Sequence, residues 1–592
     1  MTDYTAPLDE MNFLVNDVLG MGDIAALPGY EECSDELVEA IYGEAGRYFS
    51  EVIAPTNQSA DSEGCRVEDA AVVSAKSLDG LYQGFVAAGW PALTGDPQFE
   101  GQGLPHLAGV AVEEMCQSAN LSFSLLPLLT KGVITAIERF ASDEQKASYL
   151  PQLISGEWSG TMNLTESQAG SDLAAVRAKA VPVDDHYLIS GQKIFITWGD
   201  HSYTDNIVHL VLARTPDAPE GVKGISLFIV PKFILDADGK PGQRNDVYPV
   251  SVEHKMGIHA SPTCVLSFGD NDGAVGYLIG NENEGLSYMF AMMNHARLAV
   301  GLQGVSVAER AYQQAVNYAR DRVQGNVPGQ TERAPIIHHA DVRRMLMMMR
   351  SQTEAARVLS YSAFSHWDYL SHSPDADIRA YHQRRVDILT PLVKALSTEV
   401  GNEVAYIGVQ VHGGMGFIEE TGAAQYMRDA RILPIYEGTN GIQALDLIGR
   451  KLLRDKGAAA SELLADLKQD LQCANELGLE HLAQPVLNSF DLCEQAIRFV
   501  FEQAGSDAHF AGAVAFDLLL LMSNSVAAAL MVKSAIVAQQ QLNAGSDKAL
   551  FHKTKLATVQ FYIEHVLPRT ETYFRSLKNG HASTMAVDVD AF

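Results

Sequence analysis

The segment ILPIYEGTNGIQ, residues 432–443, sets one carboxylate, Glu437, after Ile432, Leu433, Ile435 and Tyr436 and just before a Gly-Thr-Asn-Gly turn. Apolar neighbours strip water from a carboxylate, which raises its pKa and makes it a better proton acceptor near neutral pH. Taken alone, an exposed loop glutamate is the simpler reading. The choice therefore rests on what else the chain carries.

Upstream, MNLTESQAGSDL (162–173) contains a turn at Ala169-Gly170 that lets backbone approach a ligand closely, with the hydroxyls of Thr165 and Ser171 beside it as donors. By itself this is an ordinary loop leading into a strand. Phe195-Ile196-Thr197 ends an alternating apolar run that periodicity reads as a plain strand. In YARDRVQG (318–325), Arg322 and Gln324 close a long helical pattern, where an arginine offsets the helix dipole. GVQVHGGMGF (408–417) supplies Gln410 and His412, and its Gly413 and Gly414 suit close backbone approach. Arg297, in Asn294-His295-Ala296-Arg297, brings a guanidinium that stays charged at any working pH. His338 and His339 are adjacent, and adjacent helical side chains point apart, so no metal site is expected there.

In this order and spacing, with Gln410 and Glu437 27 residues apart, the segments closely resemble those of the acyl-CoA dehydrogenase superfamily. The resemblance implies that Glu437 is the catalytic base and that FAD is the cofactor. It implies flavin contacts from Thr165, Gly170, Ser171, Phe195 and Thr197, and contacts to the rest of FAD from Arg322, Gln324, Gln410, His412, Gly413, Gly414, Thr439 and Gly441. Arg322 and Gln324 match residues that in the family reach the FAD of a neighbouring subunit, which implies a homodimer. Ser171, Asn294, Arg297 and Tyr436 fall at substrate-binding positions. Four residues depart from the common pattern: Ser167 stands for Pro, Trp198 for Asn, Asn294 for Asp and Gly441 for Gln. Some relatives carry their acid on the helix of Asn294 and Arg297; none is present in that tetrapeptide, so Glu437 remains the candidate.

The implied reaction is oxidation of an acyl-CoA to a trans-2-enoyl-CoA. Glu437 takes the α-proton, flavin N5 takes the β-hydride, and electrons pass to electron-transfer flavoprotein. The glutamate backbone N–H and a ribityl hydroxyl stabilise the thioester oxygen. The implied substrate is a fatty acyl-CoA or 3-methylthiopropanoyl-CoA. Two alternatives share the fold: an acyl-CoA oxidase reoxidised by O2, and a DNA-associated alkylation-response flavoprotein.

These residues need elements to hold them. Helical patterns fill 34–158, and short β-branched or aromatic runs at 187–197, 206–213, 224–230 and 263–268 indicate a β region within 159–284. A long amphipathic helix starts near Gly285, with Leu298, Leu302, Val305, Tyr312, Ala315 and Ala319 on one stripe. Further helices are expected at about 339–372, 377–413 and 441–454, within a bundle spanning 285–455. The fold class is thus α+β, with helical, β and helical domains in that order. An N-terminal extension (1–33) and an additional helical domain (456–592) resemble the long bacterial subgroup that includes 3-methylmercaptopropionyl-CoA dehydrogenases.

The 592 residues carry 73 Asp and Glu against 43 Lys and Arg, a net charge of −30 that repels nucleic acid phosphates and anionic lipid. This disfavours the DNA-associated alternative, and an anionic CoA needs local donors to bind against such a field. The six cysteines are scattered without a CxxC pair, as reduced structural thiols are. No Lys or Arg precedes Arg47, unlike secretory or mitochondrial leaders, so a cytoplasmic location is expected. The apolar stretch 513–532 is interrupted by Asp517 and Ser523-Asn524-Ser525, which predicts a buried bundle helix and no membrane insertion.

Overall fold

The computed structural model describes residues 4–328, 332–505 and 507–592, apart from the side chains of 290–292. Its longer helices, in chain order, are α1 (Asp35–Tyr48), α2 (His106–Ala119), α3 (Leu121–Phe140), α4 (Asp143–Ser155), α5 (Gly285–Asp321), α6 (Ala340–His372) and α7 (Ala376–His412). They continue as α8 (Ala423–Ala430), α9 (Asn440–Asp446), α10 (Ala458–Asp470), α11 (Glu480–Gln503), α12 (Phe510–Asn543), α13 (Ala549–His565) and α14 (Arg569–Lys578). Between α4 and α5 run β1 (Trp158–Asn163), β2 (Lys179–Val183), β3 (His186–Thr197), β4 (Asn206–Ala213), β5 (Ser226–Pro231), β6 (Val247–Val252), β7 (Thr263–Phe268) and β8 (Ala274–Leu278). The chain divides into two compact units: one formed by 1–47, 105–118 and 300–592, the other by 48–104 and 119–299.

The second unit is built on one sheet, ordered β6-β7-β3-β8-β5-β4-β1, with β2 also paired to β3. Only β1 and β4 run parallel. The twelve-residue β3 is its axis, because its first half pairs with β2 and β8 and its second half with β7. β4 and β5 are buried along their whole length, which matches their mainly apolar sequences. Helix α3 packs on β1 at Gly160, where a Cβ would lie 2.6 Å from Val133 and the N–H donates to Thr130 Oγ1 at 3.1 Å. Helix α4 starts at a reciprocal Ser142–Gln145 capping box.

The first unit is a helical bundle. The part of helix α5 in this unit departs from the single stripe expected of it, because residues 300–311 are buried on every face. Its glycines permit this: Gly304 and Gly401 bring α5 and α7 so close that a Cβ on Gly304 would lie 2.1 Å from the Ser397 carbonyl. The N-terminal segment and the final helices belong to this same unit. Lys555 on α13 pairs at 2.5 Å with both Glu10 and Glu354, while Arg357 pairs with Glu114 and Glu309, each at 2.7 Å. All of these side chains are buried, so each charge has a counter-charge where water cannot reach it. On α12, Ser523, Asn524 and Ser525 bond back to carbonyls one turn earlier, which lets them lie buried. Among the described residues, α3 and α12 are long and apolar enough to cross a membrane, yet most of each is buried inside the protein.

Candidate active site

Glu437 lies in a run of turns between α8 and α9, with φ +53° at Glu437 and +87° at Gly438. Two successive left-handed residues, the first carrying a side chain, make a sparsely populated backbone that neighbours must hold in place. They do so through Asn440, whose N–H donates to the Pro434 carbonyl at 2.9 Å and closes the loop. The Asn440 amide accepts from Lys394 Nζ at 2.9 Å and donates to Thr398 Oγ1 at 3.0 Å and Glu399 Oε1 at 2.7 Å. Thr439 caps α9 by accepting the Ile442 N–H at 3.1 Å, and Gln443 donates to the Gly438 carbonyl at 3.2 Å.

The carboxylate is half-buried. Of its four apolar sequence neighbours, Leu433 is buried, Ile432 and Tyr436 are half-buried, and Ile435 turns outward at 46% exposure. The expected apolar surround is thus thinner by one residue, because successive turns aim neighbouring side chains different ways. The Tyr436 hydroxyl donates to Gln303 Oε1. Burial, with the Glu437 charge adding to it, pushes the Tyr436 phenol well above its ordinary range and keeps it a neutral donor.

In the other unit, segments 162–173 and 193–198 are tied together. The Ile194 N–H donates to the Thr165 carbonyl at 2.9 Å, and Lys193 Nζ reaches Glu166 Oε1 at 2.8 Å and the Leu164 carbonyl at 3.1 Å. Glu166 also accepts the backbone N–H groups of Arg177 and Ala178 at 2.8 and 3.0 Å, so one buried carboxylate folds the loop. Burial pushes the Lys193 amine down to about 8, against the pull of Glu166. Above this anchor Gly170 and Ser171 are exposed, and Phe195, at φ +60°, stands 57% exposed. Thr197 is half-buried. Trp198 is also left-handed but fully buried, with its indole N–H on the Ser122 carbonyl at 3.0 Å. It is therefore a core residue of this unit.

Also in this unit, Asn294 is half-buried and Arg297 buried. Between them His295 is pushed down to about 3 by burial, reinforced by the charges of Lys131 and Arg139.

In the first unit, Arg322 and Gln324 lie 3.4 Å apart on an exposed stretch, and Gln410, Gly413 and Gly414 are exposed at the end of α7. His412 differs from its neighbours. It is buried and stacked on Tyr318 at 4.5 Å, with Nδ1 2.7 Å from the Gly408 carbonyl; burial lowers its pKa, and the bond to Gly408 opposes that shift. Its side chain secures the end of α7. His339 Nε2 lies 2.8 Å from the Gln324 carbonyl, and His338 ends the turn preceding α6.

Sequence reasoning passed over Glu166, Lys193, Gln303, Lys394 and Asn440. For the two lysines a signal existed, since each is the one charge in a mainly apolar run, YLISGQKIFIT and ILTPLVKALS.

Each unit, taken by itself, carries features that suit part of a flavin dinucleotide. An aromatic ring held out of a strand by left-handed backbone offers a stacking face. A Cβ built on Gly170, Gly413 or Gly414 meets nothing within 4 Å, so backbone at these points faces open space that a ligand can fill.

Family models cover nearly the whole chain: acyl-CoA dehydrogenase N-terminal domain at 35–157, middle domain at 161–271 and C-terminal domain at 283–453, then an acetyl-CoA dehydrogenase C-terminal-like model at 462–588. The chain belongs to the acyl-CoA dehydrogenase family. Within that family it is 47% identical to 3-methylmercaptopropionyl-CoA dehydrogenase of Ruegeria pomeroyi, over 95% of this chain and 96% of the relative. It is 34% identical to a butyryl-CoA dehydrogenase of Syntrophomonas wolfei, over 100% and 99% of the two chains. The fold is also that of a Bacillus anthracis acyl-CoA dehydrogenase solved with FAD, with a TM-score of 0.74 at 22% identity, over 96% of this chain and 91% of that one. The acyl-CoA dehydrogenase fold accounts for the order of helical, β and helical regions, and the fourth model accounts for the added helices α10–α14.

Proposed function

We propose that this chain is an FAD-dependent dehydrogenase of short acyl-CoA thioesters, converting them to trans-2-enoyl-CoA, with 3-methylthiopropanoyl-CoA the first substrate to test. The observation that carries the reading is 47% identity sustained over 95% of the chain to an enzyme named for that substrate. The 34% identical relative is named for butyryl-CoA, another short acyl group.

Glu437, half-buried in its loop, removes the α-proton of the bound thioester. FAD, when bound, supplies the acceptor for the β-hydrogen and its electron pair. As the α-proton leaves to Glu437 and the β-hydrogen leaves with its pair, the α,β-double bond forms. Phe195 gives the flavin ring a packing face, and the hydroxyls of Thr165, Ser171 and Thr197 give it donors. Arg297 and Asn294 hold polar parts of the acyl-CoA, with Tyr436 beside the base. Arg322, Gln324, Gln410, Gly413 and Gly414 hold the dinucleotide of a second copy, so the working form is a homodimer. Exposed apolar residues next to them, Met415, Phe417 and Ile418, support a covered face. The two electrons then leave to an electron-transfer flavoprotein.

The test is anaerobic addition of an acyl-CoA panel to the purified yellow protein, following loss of flavin absorbance. Rapid bleaching by 3-methylthiopropanoyl-CoA or butyryl-CoA is expected, with slower bleaching as the acyl chain lengthens. No bleaching by any member would sink the assignment. Reoxidation by air at the rate of turnover would assign an oxidase instead.

A further inference from the structure

We infer that Lys394 and Asn440 are positioning residues for the base, holding the 434–440 loop in the left-handed conformation that presents Glu437. This rests on the reading of Glu437 as the base and adds what fixes its direction.

The local backbone does not favour the observed shape. A side-chain-bearing residue in the left-handed region is disfavoured, and such a conformation persists where surrounding contacts over-determine it. Glu437 is in that region, and Gly438 after it. The contacts that over-determine it converge on Asn440, which is buried, and they use its backbone N–H, its amide oxygen and both amide hydrogens. Thr398 extends the same set, since its hydroxyl donates to the Lys394 carbonyl at 2.7 Å while accepting from Asn440.

Lys394 is the unexpected member. It is fully buried on α7, in a stretch where Pro391, Leu392, Val393, Ala395 and Leu396 are buried as well. An ammonium in such surroundings is costly unless it is well bonded, so its place there calls for a contact that matters. One contact it makes is to the side chain of Asn440, the residue whose backbone N–H closes the base loop. The consequence is directional: α7, a helix of 37 residues, sets where the loop sits, and the loop sets where the carboxylate points. Misplacing a reacting group by about 1 Å can slow a reaction about 100-fold without weakening substrate binding.

The experiment compares Asn440→Ala, Lys394→Met, Lys394→Arg and Glu437→Gln with the wild-type FAD-loaded protein. It records flavin bleaching at saturating acyl-CoA, acyl-CoA affinity by titration, and amide hydrogen exchange peptide by peptide. Asn440→Ala is expected to slow bleaching about 100-fold and Lys394→Met about 10-fold, with affinity within about threefold of wild type. Exchange should rise in peptides covering 432–443 and stay unchanged in those covering the sheet, a readout independent of activity. Lys394→Arg should recover part of the rate.

Wild-type rates in both Asn440→Ala and Lys394→Met overturn the inference, as does a rate loss matched by raised exchange throughout the molecule. If Asn440→Ala does not fold, Lys394→Met decides alone. Glu437→Gln separates the two readings: bleaching at the wild-type rate in that variant removes the base assignment itself. A dead Glu437→Gln beside fully active clamp variants leaves the base in place and refutes only the clamp.

Discussion

The two units present their reactive segments by the same device and anchor them by different chemistry. In one, Phe195 and Trp198 are left-handed and the strand is tied through Lys193 to the Glu166 carboxylate; in the other, Glu437 and Gly438 are left-handed and the loop is tied through Lys394 to the Asn440 amide. Both lysines are fully buried. Where the partner is a carboxylate, the tie is an ion pair whose halves depend on each other's charge. Where it is an amide, the partner keeps two N–H groups to aim at Thr398 and Glu399, so the tie also sets orientation. On the roles proposed for Phe195 and Glu437, the difference matches two needs: a stacking face has to be held firmly, whereas a base has to be held in one direction.

The largest effect is expected at the proposed base. Glu437→Gln keeps shape and removes the proton acceptor, so flavin bleaching should fall by about 10³-fold or more while FAD content and acyl-CoA binding stay near wild type. Stopped-flow absorbance checks this.

The ion pair comes next. Glu166→Ala strands the Lys193 ammonium in the interior and should destabilise the protein by about 3–5 kcal/mol, with loss of FAD. Lys193→Met leaves Glu166 its backbone donors and should cost less. Chemical denaturation of both variants sharpens the contrast with Lys394→Met; equal losses at all three sites would make the distinction between the ties empty.

A third effect belongs to the sheet. His201 and His209 are each pushed down to about 3 by burial, with neighbouring positive charge adding to it. Unfolded, they take protons as pH falls through about 6.5, whereas the folded imidazoles stay neutral until about 3. Their contribution is therefore complete above pH 6.5 and lost progressively below it. Thermal melts between pH 7.5 and 4.5 should show this decline, with a shallower slope in a His201→Gln, His209→Gln double variant.

Smaller again, Arg297→Ala should weaken acyl-CoA binding about tenfold at normal FAD content, and Arg322→Ala should do the reverse. Loss of FAD with unchanged acyl-CoA affinity in Arg297→Ala would reassign that arginine to the cofactor. Light scattering on the loaded protein should report a homodimer; a monomer with full FAD occupancy refutes the shared dinucleotide contacts.

The sequence announces some of this and hides the rest. The strands at 206–213 and 263–268, and the helices ending at His372 and His412, follow from composition and period alone. β1 and β2 were not legible: Trp158–Asn163 and Lys179–Val183 are short and mixed in polarity, and pairing across the sheet makes them strands. Glu437 is a candidate through its complete motif. The clamp proposed for it has no such signal, because Lys394 and Asn440 are 46 residues apart and nothing local to either names the other. His412 shows the opposite limit: its motif is intact, yet its ring is turned inward against Tyr318.

The pairing of Lys555 with Glu10 has a consequence for how the chain is made. At about 5–20 residues per second, synthesis leaves Glu10 waiting roughly 30–110 s for its partner. During that interval the carboxylate has to remain in water, so the first turns of the polypeptide cannot settle into their final place on the ribosome. A chain cut short before residue 555 would leave Glu10 without that counter-charge.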